Sequence, residues 1–404
     1  MIRNFIIIGM DDNREPFFPP EVLRHIREGK VFSGGLRHRE IVEKLLPEGA
    51  EWISITVPLD NVFAQYENIF ADFEKTASDA SIVVFASGDP LFFGFANTVM
   101  RKLPSAKIIL FPTFNSLQML AHRILLPYQE MQTLSLTGRP WDAFDSALIR
   151  GDKLIGVLTD REKTPATIAA RMLEYGYDNY RMIVGEALGN GEEESVRTFS
   201  LEEASQSAFR FPNCLILQRN KVHPRPFGVP ESEFHLLNGR NKMITKMPVR
   251  LLTLSMLTLR EKKSFWDIGF CTGSVSIEAK LQFPELKVTA FEQRTEGKEL
   301  MERNSRKFGT PGITTVMGDF LETELGGLPA PDAVFIGGHG GKMIEILQKI
   351  KEVLLPDGVI VFNSVSEESK ALFTKGITQI NKKVTQCTRI AVDTFNPIEI
   401  MRAE

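Results

Sequence analysis

The sequence is poor in cysteine. Cys214, Cys271 and Cys387 are its only three cysteines, and no two of them form a CxxC pair. This wide spacing argues against a disulfide framework and against a zinc site. We therefore predict no metal site and expect a reducing compartment, the cytoplasm.

A strong excess of charge of either sign is also missing. The 404 residues include 48 Lys and Arg and 51 Asp and Glu, so the formal net charge is -3. Nucleic-acid-binding domains usually carry a clear basic excess, so no nucleic-acid partner is expected. Long apolar runs are absent too, and FIIIGM at residues 5–10 is too short for a signal peptide or a membrane span. No membrane contact is predicted.

The chain is longer than one hydrophobic core normally covers, which predicts two or three domains. Short β-branched runs alternate with helical patterns, as is typical of α/β folds with parallel sheets. A segment with three prolines and no clear period interrupts this alternation and is interpreted as a linker. The predicted divisions are a first lobe at 1–112, a second lobe at 113–219, a linker at 220–240 and a C-terminal domain at 241–404.

The stretch WDIGFCTGSVSIEAK begins at Trp266 and predicts a strand, a tight glycine turn and a helix. A dinucleotide fingerprint places a glycine where this chain has Cys271, so the turn is not typical of a pyrophosphate site. S-adenosylmethionine (SAM) has no phosphate and needs mainly a close backbone path and exposed amides. The residues predicted to provide them are Gly269, Cys271, Thr272 and Gly273.

Three acids follow three successive predicted strands. Asp267 stands just before the glycine turn, where it can accept a hydrogen bond from the amino group of SAM. Glu292 follows the next strand about twenty residues on, where an acid holds ribose hydroxyls. Asp319 follows the third strand and is predicted to lie near the adenine of SAM. The alternative is that all three are solvated loop carboxylates.

The motifs TKMPVR, WDIGFCTGSVSIEAK, PDAVFIGGHGG and LPDGVIVFNSV resemble the precorrin methyltransferases that methylate carbon 15 and decarboxylate their substrate. The resemblance covers residues 241–404 and implies a doubly wound, Rossmann-like, SAM-dependent domain. It adds Thr245 and Gly337 to the cofactor contacts. It also makes Lys246 and His339 candidate catalytic residues, although His339 could equally be a structural loop histidine.

The N-terminal half resembles the tetrapyrrole methylase family, and most closely its carbon-5 precorrin methyltransferases. The resemblance rests on FASGDPLFFG, GGLRHRE, PTFNSLQMLA, LTGRP and VGEALGNGEEE. It implies two α/β lobes with SAM in the cleft between them. Asp89 is predicted to cap a helix whose first turn contains Pro90. The implied cofactor contacts are Gly9, Gly88, Asp89, Thr113, Ser116, Glu186 and Leu188.

Together the two resemblances imply a bifunctional enzyme of cobalamin biosynthesis that methylates a precorrin at carbons 5 and 15 and decarboxylates the acetate on carbon 12. A homo-oligomer is expected, a dimer through the N-terminal half or a tetramer through the C-terminal half. The substrate carries many carboxylates, and arginine binds carboxylates with two parallel hydrogen bonds. The candidate groups are Arg37, His38, Arg39, Arg139, Lys246 and Arg250, with Arg139 placed at the catalytic centre and a helix cap as the alternative for His38.

The first loop, GMDDN, departs from the glycine-rich loop of the tetrapyrrole methylases. Asp11 and Asp12 would repel a polyanionic substrate unless they face away from it or pair with Arg14 or Arg37. Two other functions remain open from the sequence. One is an RNA methyltransferase, and the other is a non-catalytic N-terminal scaffold with an active C-terminal half.

Overall fold

The computed structural model describes residues 3–75, 81–238 and 243–404. The predicted start of the C-terminal domain, at 241, lies outside the described residues. The chain forms two compact units. Unit 1 comprises the described residues of Met1–Arg139, Lys153–Ala169 and Tyr180–Gln218, and unit 2 comprises those of Pro140–Asp152, Ala170–Asn179 and Arg219–Glu404.

Sheet 1 of unit 1 has five parallel strands with helices packed on both faces. The strands are β1 (Asn4–Met10), β2 (Val31–Gly34), β3 (Glu51–Ser54), β4 (Ser81–Ser87) and β5 (Lys107–Phe111). The helices are α1 (Pro20–Glu28), α2 (Leu36–Val42), α3 (Leu59–Lys75) and α4 (Phe95–Lys102). The order is β3-β2-β4-β1-β5. The central β1 and β4 are almost wholly buried and apolar, as parallel strands covered on both faces must be.

Sheet 2 mixes parallel and antiparallel neighbours. Its strands are β6 (Gln132–Ser135), β7 (Leu154–Leu158), β8 (Tyr180–Glu186), β9 (Ser195–Phe199) and β10 (Asn213–Arg219). The helices of this region are α5 (Ser116–Arg123), α6 (Asp142–Arg150), α7 (Pro165–Glu174) and α8 (Leu201–Ser205). The order is β6-β7-β10-β8-β9, in which β6 and β7 are parallel and β7 and β10 antiparallel.

Sheet 3 of unit 2 is a doubly wound sheet with an antiparallel extension. Its strands are β11 (Ser264–Ile268), β12 (Lys287–Glu292), β13 (Ile313–Met317), β14 (Ala333–Ile336), β15 (Val359–Ser364), β16 (Val384–Ile390) and β17 (Ile398–Ala403). The helices are α9 (Met247–Met256), α10 (Ser274–Gln282), α11 (Glu296–Phe308), α12 (Met343–Val353) and α13 (Glu367–Gln379). The order is β13-β12-β11-β14-β15-β17-β16, with the first five strands parallel. Because β17 runs antiparallel to β15, its first residues lie at the edge where β15 ends.

Residues 140–152 and 170–179 belong to unit 2 through polar contacts with its C-terminal part. Arg150 pairs with Glu285 at 2.6 Å, and the Tyr177 hydroxyl donates to the Gly309 carbonyl at 2.7 Å. A fragment that begins at residue 220 lacks these partners. The four predicted domain divisions therefore remain a proposal, and functional tests are best made on the whole chain.

The α/β class and the parallel cores predicted from the sequence are confirmed. The helix cap predicted at Asp89 is wrong, because α4 begins only at Phe95, after Gly94. The Asp89 carboxylate instead accepts from the Leu91 amide at 2.9 Å, which closes a local turn between strand and helix. Within the described residues, no helix combines the length and the apolar character needed to cross a bilayer.

Arg250 was predicted to contact substrate, and the structure contradicts this because its side chain is fully buried in unit 2. Its guanidinium lies 3.3 Å from the Glu278 carboxylate and also donates to the carbonyls of Thr245 and Val229. Glu278 in turn accepts from the amides of Gly228 and Val229. The pair thus fastens the segment before α9 onto α9 and α10.

Loss of Glu278 should destabilise the folded protein strongly, because the Glu278–Arg250 pair is buried. Glu278→Ala leaves the buried Arg250 charge without its carboxylate partner and two amides without an acceptor. It should lower the free energy of unfolding by about 3–5 kcal/mol. Glu285→Ala, which removes a largely exposed partner of Arg150, should cost less than about 1 kcal/mol. Urea unfolding followed by intrinsic fluorescence measures both. Equal losses in the two variants would contradict the structural role of Glu278.

Candidate active sites

A cavity of about 760 Å³ opens at the edge of sheet 3 where its parallel strands end. Its size is within the usual range for small-molecule sites. Asp267 at the end of β11, Glu292 at the end of β12 and Asp319 after β13 all line it. The structure therefore brings the three predicted acids together at one cavity.

The glycine turn after β11 forms one wall of this cavity by close backbone packing. Gly269 has φ +78°, and a Cβ there would lie 2.9 Å from the Gly338 amide nitrogen. Cys271 has φ +52°, a region that a side chain rarely occupies, and its thiol donates to the Met243 carbonyl at 3.3 Å. The strained position explains why glycine suits this place, and it shows that this chain accommodates cysteine there.

The prediction that the turn offers exposed amides is wrong for three of its four residues. The Gly269 amide donates to the Phe291 carbonyl, and the Cys271 amide donates to the Glu292 carboxylate at 2.8 Å. The Gly273 amide also donates within the turn. The turn closes on its own backbone and on β12, so its amides stabilise the wall of the cavity.

Glu292 is the acid that holds this turn. Its side chain is buried, and besides Cys271 it accepts from the backbone amides of Gln293 and Arg294 at 3.0 Å each. The Arg294 guanidinium lies 3.3 Å away. Glu292 consequently has a structural task in addition to its place at the cavity, and a substitution that removes its oxygens affects both.

Two buried polar atoms beside the turn have no hydrogen-bond partner among the described residues. Asp267 uses one carboxylate oxygen to accept from the amide and hydroxyl of Ser276, while its Oδ1 has no partner. The Thr272 hydroxyl is the other such atom. Burial raises the pKa of Asp267 to about 7. Buried polar groups are normally paired, so these atoms are available to a ligand.

These residues fit SAM. The unpartnered Asp267 oxygen and the Thr272 hydroxyl can bind polar groups of an amino acid moiety. The close packing of Gly269 on Gly338 shapes the wall of the cavity beside them. The carboxyl oxygens along this side of the cavity are hydrogen-bond acceptors for a cofactor, and nothing in the site requires a phosphate. Asp319 is held by the Lys342 ammonium at 2.8 Å, which lowers the pKa of its carboxyl.

Of the other residues predicted for this site, four line the cavity and one is buried in the core. Thr245, Lys246, Gly337 and His339 line the same cavity. His339 accepts from the Gly341 amide through Nδ1 at 3.2 Å, and burial lowers its pKa, so its ring is neutral at pH 7. Arg250, as described, lies in the core.

Sequence reasoning missed one side of the cavity. Phe395, Asn396 and Pro397 in the loop between β16 and β17 line it, together with Asn363 and Val365 around the end of β15. Neither strand of the β16–β17 hairpin was predicted, since β16 is largely exposed and lacks an apolar period. An aromatic residue, Phe395, within the polar stretch DTFNP was a signal of a binding loop that the sequence offered.

In unit 1 the end of β1 lies in close backbone contact with the loops that follow β4 and β5. A Cβ on Gly9 would lie 2.3 Å from the Gly88 carbonyl oxygen and 3.1 Å from the Thr113 amide nitrogen. The Gly88 amide donates to the Met10 carbonyl at 2.7 Å. The structure thus brings three of the predicted cofactor residues together, and Asp89 lies next to them.

Two of the predicted cofactor residues further along unit 1, Glu186 and Leu188, have side chains that are engaged in other contacts. Glu186 is buried and accepts from the Arg197 guanidinium at 2.8 Å. Leu188 is buried in the core of its lobe. Ser116 opens α5, and Arg139 is exposed with its guanidinium 5.1 Å from the Phe93 ring centre. The backbone groups of Glu186 and Leu188, rather than their side chains, remain candidates for cofactor contact. Ser116 remains a predicted cofactor residue and Arg139 a predicted catalytic residue.

The unusual acids of the first loop are paired or locally bonded. Asp12 is buried, with the guanidinium groups of Arg37 and Arg14 at 3.4 and 3.7 Å. Asp11 accepts from the Asn13 amide at 3.1 Å. The alternative in which Asp12 pairs with cations is the one that the structure supports.

His38 is a helix cap and contributes no positive charge. Its Nδ1 accepts from the Gly35 amide at the start of α2, so Nε2 carries the proton and donates to the Ser87 hydroxyl at 2.9 Å. Burial lowers its pKa to about 4. The prediction that His38 binds substrate as a cation is therefore wrong. Arg39 is exposed, 5.9 Å from the Trp52 ring centre.

Known families match both halves of the chain. Residues 18–205 match the tetrapyrrole (corrin/porphyrin) methylases, and residues 238–403 match the precorrin methyltransferase domain. The precorrin-6Y C(5,15)-methyltransferase (decarboxylating) of Sinorhizobium sp is 32% identical over 379 residues, which cover 91% of this chain and 86% of that protein. The chain belongs to the precorrin-6Y C(5,15)-methyltransferase family.

Two further relatives match shorter parts of the chain. The cobalt-precorrin-6B C(15)-methyltransferase (decarboxylating) of Salmonella typhimurium is 33% identical over 162 residues, covering 40% of this chain and 83% of that protein. A crystal structure of precorrin-6y C5,15-methyltransferase from Geobacter metallireducens GS-15 is 33% identical, covers 45% of this chain and 99% of that one, and has a TM-score of 0.41. The match to a precorrin methyltransferase covers 91% of the chain and does not favour the alternative of an RNA methyltransferase.

The raised pKa of Asp267 makes a pH-dependent contribution to the stability of this precorrin methyltransferase. The folded state binds this proton up to about pH 7, while the unfolded carboxyl, with its ordinary pKa of 3.8, loses it earlier. The free energy of unfolding should therefore fall as pH rises from about 4 to 7, by roughly 1 kcal/mol per pH unit from this group. Asp267→Asn, which keeps an oxygen for Ser276, should remove this slope. The free energy of unfolding, measured with urea between pH 4.5 and 8, checks this. The same dependence on pH in the wild type and in Asp267→Asn would contradict the contribution of Asp267.

Proposed function

We propose that this chain methylates a precorrin at carbon 5 and carbon 15 and removes the carboxylate of the acetate on carbon 12, with SAM as methyl donor at both sites. The observation that carries the proposal is the presence of two separate glycine-cradled sites, around Gly9 and around Gly269, in one chain. The 32% identity to a C(5,15)-methyltransferase over 91% of the chain supports it. The pathway is cobalamin biosynthesis.

In the C-terminal site the residues act by binding and orientation. We assign Asp267 Oδ1 and the Thr272 hydroxyl to the amino acid end of SAM, because both are buried and have no partner in the described chain. Glu292 and Asp319, at the next two strand ends, are assigned to the ribose and the adenine. Close backbone packing at Gly269 fixes the distance between the bound cofactor and the sheet.

SAM supplies an electrophilic methyl group, so the protein needs no covalent nucleophile. The task of its residues is to hold the methyl in line with an electron-rich ring carbon. Departure of the acetate carboxylate as carbon dioxide leaves its bonding electron pair in the conjugated ring, where it supports methylation at carbon 15. The apolar lining provided by Phe270, Phe291 and Phe335 limits water around that carboxylate and favours loss of its charge.

For the N-terminal site we assign Gly9, Gly88 and Thr113 to the cofactor and Arg37 to a substrate carboxylate. Arg37 is half-buried between Asp12 and the Ser87 hydroxyl, to which it donates at 3.0 Å. Asp12 therefore orients this guanidinium and does not act as a free acid facing the substrate. A cytoplasmic location and a homo-oligomeric assembly complete the proposal.

Matched glycine substitutions test the two activities in one chain. Gly9→Ala places a methyl 2.3 Å from the Gly88 carbonyl oxygen, and Gly269→Ala places one 2.9 Å from the Gly338 amide nitrogen. Each should lower methylation at its own site at least ~100-fold, because displacement of about 1 Å is enough for that loss. The mass of the product after incubation with SAM and precorrin-6Y counts the added methyl groups and the loss of carbon dioxide. NMR of product made with carbon-13-labelled methyl SAM distinguishes the methyl on carbon 5 from the one on carbon 15.

Gly191→Ala and Gly326→Ala are the controls, since a Cβ at either position meets open space. Both should retain wild-type products. Each active-site variant also contains its own folding control, namely the activity of the other half. Unchanged carbon-5 methylation in Gly9→Ala would refute the assignment of unit 1, and an N-terminal half without any methylation in the wild type would favour the scaffold alternative.

A further inference from the structure

The charges that line the cavity of unit 2 are divided between its two sides. Asp267, Glu292 and Asp319 follow β11, β12 and β13, which form one half of sheet 3. The cations beside them are neutralised, since Arg294 pairs with Glu292 and Lys342 pairs with Asp319. The other half of the edge, formed by β14, β15 and β17, has no acid on the lining surface within the described chain.

Lys246 is the cation on this second side. It precedes α9, is half-buried and lines the cavity, and no carboxylate of the described residues lies within 4 Å of its ammonium. Its Nζ stands 4.7 Å from the ring centre of Phe395. A cation at this distance from an aromatic face is attracted to it, which restricts the flexible lysine side chain.

The surroundings of this pair are suited to a large, partly apolar anion. Phe395 and Val365 are 42% and 70% exposed although both line the cavity. The Asn363 side-chain oxygen accepts from Thr253 on α9 at 3.1 Å, which ties α9 to β15 and leaves the Asn363 amide group as a donor. Exposed apolar side chains beside polar donors are typical of a ligand-binding surface.

We propose that Lys246, Phe395 and Asn363 form the subsite that binds a peripheral carboxylate of the tetrapyrrole, with Phe395 as a positioning residue that holds the Lys246 ammonium. Val365, which is 70% exposed on the same side of the cavity, contacts the conjugated macrocycle. The acidic side of the cavity is left to the cofactor. This inference rests on the proposed function and assigns one side of the unit 2 cavity to the cofactor and the other side to the tetrapyrrole.

Steady-state release of carbon dioxide from precorrin-6Y by the full chain tests the subsite. Lys246→Met should raise KM for this step about tenfold or more, the size expected for loss of a charge-assisted hydrogen bond. Lys246→Arg should recover most of the loss. Phe395→Leu should raise KM about threefold to tenfold, and Phe395→Tyr should remain near the wild type. In all four variants carbon-5 methylation and the calorimetric affinity for SAM should stay within about twofold of the wild type.

Two control variants carry the same types of substitution at positions outside the cavity. Phe227→Leu removes a ring that is 74% exposed, and Lys375→Met removes an exposed lysine of α13. Both should leave KM unchanged. If Phe395 acts through Lys246, the double variant Phe395→Leu/Lys246→Met should be no worse than Lys246→Met alone.

The outcomes separate this inference from the proposed function. An active wild type whose KM is unchanged by Lys246→Met overturns the subsite and leaves the function standing. Fully additive effects overturn the positioning role of Phe395. A loss of SAM affinity equal to the rise in KM shows that the pair serves the cofactor, which also overturns the subsite. A well-folded wild type that releases no carbon dioxide overturns the proposed function and the subsite with it.

Discussion

Close contact between two stretches of backbone is the constraint on which both sites depend. After β11 the chain passes so near to the loop after β14 that a Cβ on Gly269 would lie 2.9 Å from the Gly338 nitrogen. Near the end of β1 it passes still closer to Gly88, where a Cβ on Gly9 would lie 2.3 Å from the Gly88 carbonyl oxygen. The two sheets have different strand orders. In each of them, parallel strands that end at one edge bring loops together that lie far apart in the sequence.

Buried carboxylates stabilise the loops that make these contacts. Glu292 accepts three backbone amides around the glycine turn, and Asp12 lies between two guanidinium groups in the first loop of unit 1. Buried charge is costly unless it is paired or hydrogen-bonded, so these acids fix the geometry of the groups around them. Asp267 differs, because one of its oxygens is buried with no hydrogen-bond partner in the described part of the chain, and burial raises its pKa to about 7. That oxygen is the one that a cationic ligand would complete.

Much of the fold was predictable because its signals are local. The apolar runs of β1, β4, β11 and β14 are buried on both faces and therefore read clearly as parallel strands. The glycine turn and the three acids of unit 2 follow from their spacing along such strands. By contrast, the largely exposed β16 gave no periodic signal, and the Asp89 cap was misassigned because a short Asp–Pro turn and a helix start share their residue preferences.

The sequence by itself determined the α/β class, the location of the glycine turns and the acids that stand at strand ends, because each depends on neighbours within a few residues. Only the tertiary structure decided which polar groups are already engaged. It buried Arg250 against Glu278, made His38 a neutral helix cap and used the amides of the glycine turn within the protein. It also brought Phe395 to Lys246, nearly one hundred and fifty residues away. Partners so distant in the chain meet only when the sheet orders its strands, and no local pattern contains that order.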